Sequence, residues 1–241
     1  IKIIDFTSEH DGLGKFDIEI ASNQNYTANI ENGNGSNFQF KLPTIKDEGI
    51  NIRVENNNPN KLFILLNRSL INKDKYNIKA VTMAQASSNW VAGSDYCPKT
   101  PITQSKIQTL VASNIPVFLP AGNDFNYEKL RWPACLPESI AVGATMPTKA
   151  VAVYTNYDPK LIDFFALGTT TTYGPGNVKL PIAGTSASIQ AAAASWIAVS
   201  SAKPSLTYNQ VYDLISKTST PTSNSKIKGG KLINLEGALN G

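Results

Sequence analysis

The chain is poor in the side chains that most often carry chemistry in proteins. Of its 241 residues, one is a histidine, His10, and two are cysteines, Cys97 and Cys135. Zinc sites are built from clusters of these residues at characteristic spacings, and none occurs here, so we predict no metal site of that kind. A reaction that needs an imidazole base has a single candidate in this chain.

Charged residues are also scarce, at 17% of the chain. The 22 basic and 18 acidic residues give a formal charge of +4, and the basic ones are scattered rather than gathered in a stripe. This pattern argues against nucleic acid as a partner. No apolar run approaches the length of a membrane span. The chain begins on a strand-like run, Ile1–Ile4, so either an N-terminal segment has been removed or the sequence starts at the domain.

The two cysteines allow two interpretations. They can be buried free thiols, or they can form a disulfide that closes a loop of about 38 residues, worth roughly 3–4 kcal/mol in chain entropy. Both lie beside prolines in loop-like sequence, where a surface bridge is plausible. A disulfide implies an oxidising compartment, so we expect a secreted or periplasmic protein.

The first quarter of the chain reads differently from the rest. In residues 1–57, apolar and polar residues alternate over 16–20, 38–42 and 50–54, and the turn-forming segment 31–36 is typical of a hairpin. We therefore predict a β-rich, partly antiparallel segment here and an α/β core over residues 58–241. No linker separates them, so we predict a single domain over residues 1–241.

Strands and helices alternate through the predicted core. We predict helices over 62–71, 102–113 and 208–217, the last capped by Thr207, and a long helix opened by Ser186 that ends near Pro204. Strands are predicted over 78–83, 117–119, 140–144 and 161–165. Such alternation favours a largely parallel sheet with helices on both faces.

One serine stands where a helix is predicted to begin. Gly184-Thr185-Ser186 opens a long run of small and apolar residues. Ser186 would lie at the positive end of the helix dipole, among unpaired N–H groups that can stabilise an oxyanion. Ser186 can equally be a simple helix N-cap. Asn123, which follows a predicted strand, can complete such a site or form an ordinary turn.

Several segments in order resemble the motifs of the subtilisin-like serine peptidases, the subtilases, most strongly over residues 78–241. Gly184-Thr185-Ser186 resembles the nucleophile motif of this family, and Ala121-Gly122-Asn123 resembles its oxyanion motif. The further segments that carry the resemblance are 132–144, 154–159, 162–168 and 229–234.

The resemblance implies a subtilisin-like fold and a peptide or protein substrate. It implies that Ser186 attacks the scissile carbonyl, that Asn123 and the Ser186 N–H bind the oxyanion, and that Asp5 orients a histidine. It also implies that Met83-Ala84-Gln85-Ala86 pairs with the substrate backbone and that Pro120-Ala121-Gly122 forms the other wall of the first specificity pocket. A cysteine pair placed like Cys97 and Cys135 occurs in one branch of the family. Subtilases often bind calcium, but no carboxylate-dense loop here indicates a site, so we predict no cofactor.

The family's catalytic-histidine motif has no counterpart in this sequence. His10 lies only five residues after Asp5, where it can be an exposed loop residue or the general base. Asp5 in turn can be a member of a triad or a simple strand-end residue. Without a base, Ser186 stays protonated and is a poor nucleophile. We therefore keep two functions open: a serine endopeptidase acting through an acyl-enzyme on Ser186, and an inactive pseudopeptidase that binds extended peptides or acts as an interaction module.

Overall fold

A computed structural model of the chain shows how these segments fold. It describes residues 16–17, 26–31, 37–42, 59–86, 91–92, 96–97, 101–173, 177–222, 227 and 230–241. The chain divides into two units, residues 1–56 and 57–241. The single domain predicted over residues 1–241 stays a prediction.

The described part of the first unit is a three-stranded antiparallel sheet. Its strands are β1 (Phe16–Asp17), β2 (Tyr26–Glu31) and β3 (Asn37–Leu42), in the order β1-β2-β3. In the β2–β3 pair Glu31 lies opposite Asn37. Residues 32–36 of the predicted turn lie outside the described residues. The alternating segment over 50–54 lies outside the described residues.

The second unit contains five helices and ten strands within its described residues. The helices are α1 (Pro59–Asn72), α2 (Pro101–Ala112), α3 (Thr185–Ala202), α4 (Tyr208–Thr218) and α5 (Leu235–Asn240). The strands are β4 (Val81–Thr82), β5 (Val91–Ala92), β6 (Val117–Pro120), β7 (Leu130–Arg131), β8 (Ile140–Thr145), β9 (Phe164–Leu167), β10 (Thr169–Tyr173), β11 (Lys179–Ala183), β12 (Thr220–Pro221) and β13 (Lys231–Leu232).

Six of these strands form one mostly parallel sheet. Their order is β12-β13-β9-β8-β6-β4, and every neighbouring pair is parallel except β12 and β13. The chain passes through α2 between β4 and β6, and through α3 and α4 between β9 and β13, because parallel neighbours need a crossover connection. The predicted largely parallel α/β sheet is confirmed.

Successive residues of the central strands point to opposite faces of this sheet. In β6, Leu119 belongs to a core cluster with Leu66 of α1 and Leu110 of α2. Its neighbour Phe118 belongs to a second cluster, with Trp196 of α3 and further residues of α4 and α5. Because side chains alternate along a strand, one strand supplies both cores. Helices therefore cover both faces, as predicted.

Several predicted boundaries were wrong, and three of them have a physical reason that the structure shows. The strand predicted over 78–83 is confined to β4, because its partner β6 begins opposite Val81. The strand predicted over 161–165 starts at Phe164, because the N–H groups of Leu161 and Ile162 both donate to the Asp158 carbonyl and form a turn. Helix α3 starts at Thr185 with Gly184 as N-cap, so Ser186 is not the cap.

Sequence reasoning missed several elements of the second unit, among them the short strands β5, β7, β12 and β13. Strands β10 and β11 pair as an antiparallel hairpin directly before α3. Its threonine-rich first strand and proline-containing second strand carry little apolar signal. The short helix α5 was also missed. No helix in the described part of the chain is long and apolar enough to cross a membrane.

Candidate active site

Three segments meet where the parallel strands end. Ala84–Ala86 follow β4, Gly122–Asp124 follow β6, and α3 carries Ser186 in its first turn. Parallel strands bring their carboxyl ends to one edge of the sheet, which is where active groups gather in such folds. The segments enclose a cavity of about 420 Å³, lined by Ala84, Gln85, Ala86, Pro120, Gly122, Asn123, Asp124, Arg131, Thr185 and Ser186.

Asn123 is bonded to the beginning of α3. Its side-chain Oδ1 accepts hydrogen bonds from the Thr185 N–H and from the Thr185 hydroxyl, both at 2.9 Å. The Thr185 Oγ1 in turn accepts from the Gly122 N–H at 3.3 Å. These two bonds to Oδ1 fix the orientation of the Asn123 amide. Its Nδ2 group is the donor that the side chain can offer to a bound molecule. Asn123 therefore does more than form a local turn.

Ser186 lies half-buried at the mouth of the same cavity. Its hydroxyl donates to the main-chain carbonyl of Ala84 at 2.9 Å. Its N–H has no hydrogen-bond partner within the described residues, as the first N–H groups of a helix have none inside the helix. The site thus combines a serine hydroxyl with two N–H donors, one from Ser186 itself and one from Asn123.

Two glycines allow this close approach. Gly122 has φ of +114° and Gly184 has φ of +140°, backbone conformations that other residues rarely adopt. A Cβ on Gly184 would lie 3.2 Å from Asn123 Nδ2. A Cβ on Gly122 would lie 2.6 Å from both Arg131 Cγ and Asn156 Nδ2, which is impossible without a shift. Glycine is therefore required at position 122, directly before Asn123 in the chain, and at position 184, which lies against the Asn123 side chain.

Sequence reasoning missed an ion pair that lines the cavity. Arg131 Nε and Nη2 donate to the two carboxylate oxygens of Asp124 at 2.6 and 2.7 Å. Asn156, which is fully buried, donates from Nδ2 to Asp124 Oδ2 at 3.0 Å. The hydrogen bonds from Arg131 lower the pKa of the Asp124 carboxyl, so it stays ionised. The opposite charges of Asp124 and Arg131 are visible in the sequence. The two side chains meet, however, only because β7 places Arg131 beside the segment that carries Asp124.

Four of the predicted site residues do not line this cavity or lie outside the described part of the chain. Ala121 is fully buried, and Met83 packs against the core beside α1 and α2. Asp5 and His10 lie outside the described residues. The predicted roles of all four stay predictions, as do those of Ser186 and Asn123.

Cys97 and Cys135 form a disulfide, with their Cα atoms 5.8 Å apart. Cys135 is buried in the core cluster and Cys97 packs against it, so the bridge ties the chain to the core rather than lying on the surface as expected. No group of three or more His, Cys, Asp or Glu side chains that could hold a metal ion occurs among the described residues.

Solved structures of low sequence identity share this fold. The PatG macrocyclase domain matches with a TM-score of 0.63 and 19% identity, over 79% of this chain and 59% of that one. The prenylagaramide maturation protease PagA matches with a TM-score of 0.59 and 18% identity, over 81% and 70%. A protease from Pseudoalteromonas arctica matches with a TM-score of 0.54 and 19% identity, over 67% and 50%. This chain thus spans half of the Pseudoalteromonas chain and less than two thirds of the macrocyclase domain.

Sequence comparison is more specific about the family. No curated protein sequence is significantly similar to the chain. The sequence model of the subtilase family, however, matches residues 26–236. Because this match runs from β2 into α5 and the fold agrees with it, the chain belongs to the subtilase family.

Proposed function

We propose that the chain is a serine endopeptidase that cleaves peptide bonds through an acyl-enzyme on Ser186. The observation that carries the proposal is the Ser186 hydroxyl in the first turn of α3, beside the Asn123 amide and in a cavity that Ala84–Ala86 border. Strand-like addition of a peptide to the Ala84–Ala86 segment would place a scissile carbonyl beside this hydroxyl.

The chemistry then follows the usual course of acyl transfer. Ser186 Oγ forms a bond to the carbonyl carbon while its proton passes to a base, and the oxyanion accepts hydrogen bonds from Asn123 Nδ2 and the Ser186 N–H. The C–N bond breaks as the base returns the proton to the leaving amine. Water, deprotonated by the same base, hydrolyses the ester and restores the serine. His10 is the single imidazole of the chain and our candidate for this base.

One observation favours the second function, an inactive pseudopeptidase that binds extended peptides. The Ser186 hydroxyl donates to the Ala84 carbonyl, a group that cannot take its proton. In this orientation the hydroxyl acts as a hydrogen-bond donor, and peptide binding at Ala84–Ala86 would need no base.

A fluorophosphonate probe distinguishes the two functions, because it reacts only with an activated serine. We expect labelling of the wild type, none of Ser186→Ala, and full labelling of the control Ser201→Ala, which removes an exposed serine of the same helix. Asn123→Ala should lower kcat about 10²–10³-fold, the usual cost of losing one oxyanion donor.

The result against an endopeptidase would be a folded wild type that binds peptide but neither reacts with the probe nor cleaves. His10→Ala decides the base: unchanged turnover would exclude His10.

We also infer a secreted or periplasmic location, which the Cys97–Cys135 disulfide supports because such bonds persist in oxidising compartments. Cell fractionation tests it.

A further inference from the structure

The ion pair between Asp124 and Arg131 lies in the same cavity as Ser186. The guanidinium meets the carboxylate with two parallel hydrogen bonds, the most specific geometry that such a pair adopts. The Arg131 side chain is 19% exposed and that of Asp124 is 39% exposed. Both charged groups are therefore partly withdrawn from water and face the space that a bound molecule would enter.

The surrounding residues hold both partners in position. The N–H of Arg131 donates to the Ala121 carbonyl at 2.8 Å, which joins β7 to the segment that carries Asn123. The stem of Arg131 lies so close to Gly122 that a Cβ there would collide with its Cγ. The Asn156 Nδ2 donates to the same Asp124 Oδ2 that accepts from Arg131 Nε, and the Asn156 Oδ1 accepts from the Asp124 N–H at 2.8 Å. These contacts make the pair a built part of the cavity wall.

Opposite charges this close cancel each other's field over a short distance. A charged side chain entering the cavity would lose its hydration and would meet one attractive and one repulsive charge, so neither sign of charge gains enough to offset that loss. An apolar side chain would displace water from both ions and return no hydrogen bond. An amide or hydroxyl can donate to the carboxylate and accept from the guanidinium.

We propose that the Asp124–Arg131 pair makes this cavity select peptides with an uncharged polar side chain, an amide or a hydroxyl, at the residue that enters it. The inference rests on the proposed function, since it assigns a substrate class to the same site. It does not depend on turnover, because an inactive peptide-binding protein would show the same selectivity in binding.

Labelled alanine peptides with one variable residue test the proposal. The variable residue is glutamine, its near-isosteric acid glutamate, lysine or leucine. Binding is measured by fluorescence anisotropy with the Ser186→Ala variant. Cleavage after the variable residue is measured with protein that keeps Ser186. We expect glutamine to be favoured over each of the other three by about 10-fold, the size of a charge-assisted hydrogen bond.

Two single variants should change the preference in opposite directions. Asp124→Asn leaves the Arg131 charge without the carboxylate, so the glutamate peptide should gain about 10-fold relative to glutamine. Arg131→Gln keeps the stem against Gly122 but removes the positive charge, so the lysine peptide should gain by about the same factor. The double variant should favour glutamine over both charged peptides again. The control Asp74→Asn removes an exposed carboxylate that does not line the cavity and should change nothing.

The outcomes separate the two levels of the argument. If no peptide is bound or cleaved by folded protein, the proposed function fails and the selectivity fails with it. If peptides bind but the ranking is the same in the wild type and both single variants, the proposed function stands and the role of the pair is overturned. A wild type that prefers glutamate, lysine or leucine also overturns it. Thermal unfolding of each variant shows that the comparison is made on folded protein.

Discussion

The carboxyl group of Asp163, the residue directly before β9, is packed between β8 and α4. Its Oδ1 accepts a hydrogen bond from the Tyr212 hydroxyl at 2.6 Å, and its Oδ2 accepts from the Ala141 N–H at 2.7 Å. Burial outweighs these bonds and the nearby Lys231 charge and raises the pKa of Asp163 to about 6. Burial and the charge of Asp163 also raise the pKa of Tyr208 and Tyr212, so both tyrosines stay neutral.

The raised pKa makes stability depend on pH. Between about pH 4 and pH 6 the folded state holds a proton on Asp163 that the unfolded state has released. The contribution of this group is therefore fully present below about pH 4 and is lost as the pH rises through 6, a change of roughly 1–3 kcal/mol. Urea unfolding across this range tests the prediction. As the pH rises, the wild type should lose free energy of unfolding relative to Asp163→Asn.

Asp213→Asn is the control for this prediction, because Asp213 is an exposed carboxyl group on the same helix as Tyr212. It should keep the pH dependence of the wild type. Parallel pH curves for wild type and Asp163→Asn would contradict the assignment.

At the scale of elements, helices α3 and α4 begin in different ways. Helix α4 has a capping box: the Thr207 Oγ1 accepts from the Gln210 N–H at 3.4 Å, and the Gln210 Oε1 accepts from the Thr207 N–H at 2.8 Å. Helix α3 has Gly184 as its N-cap, which offers no side chain, and the Asn123 side chain accepts from the Thr185 N–H, the first of the helix, instead. The cap of α4 comes from neighbouring residues and stabilises only that helix. The hydrogen bond from the Thr185 N–H to Asn123 also joins α3 to the segment that lines the cavity.

Removing the local cap should cost stability without affecting the site. We expect Thr207→Ala to lower the free energy of unfolding by about 1 kcal/mol, because the Gln210 N–H loses its acceptor. Urea unfolding measures the change. Thr207→Ser keeps the hydroxyl and should lie close to the wild type, so equal losses for the alanine and serine variants would argue against the cap.

At the scale of the whole molecule, the disulfide joins two distant parts of the second unit. Its cysteines are 38 positions apart, and the bond closes the part of the chain that includes α2, β6 and β7. Closing a loop of this length restricts the unfolded chain far more than the folded one. The bond therefore also secures the segment that supplies Asn123, Asp124 and Arg131.

Reduction of this bond should lower the free energy of unfolding by roughly 3–4 kcal/mol. Unfolding with and without reductant, with mass spectrometry to count free thiols, measures the loss. The double variant Cys97→Ala/Cys135→Ala should be unfolded more easily than the oxidised protein and should not respond to reductant. Unchanged stability of a fully reduced wild type would contradict the prediction.

Much of the fold was predictable because periodicity acts locally. The uniformly apolar run 117–119 is typical of a strand buried on both faces, and the helices of the core follow from their apolar spacing and from Thr207. Elements with little apolar signal, such as the β10–β11 hairpin, were missed because their pairing is decided by hydrogen bonds between backbones. The start of α3 was misplaced by one residue or two because its cap comes from Asn123, far away in the chain.

The sequence by itself determined the family, since the motifs around Asn123 and Ser186 carry it, and the family model agrees over residues 26–236. It also determined that helices cover both faces of a parallel sheet, because the burial of each side chain follows its position along the strand. Only the tertiary structure decided that Thr185 orients Asn123, that Ser186 donates to Ala84, and that Arg131 pairs with Asp124. Periodicity tells which face a residue takes, but a hydrogen bond needs two atoms within about 3 Å, a distance that the packing of distant segments sets.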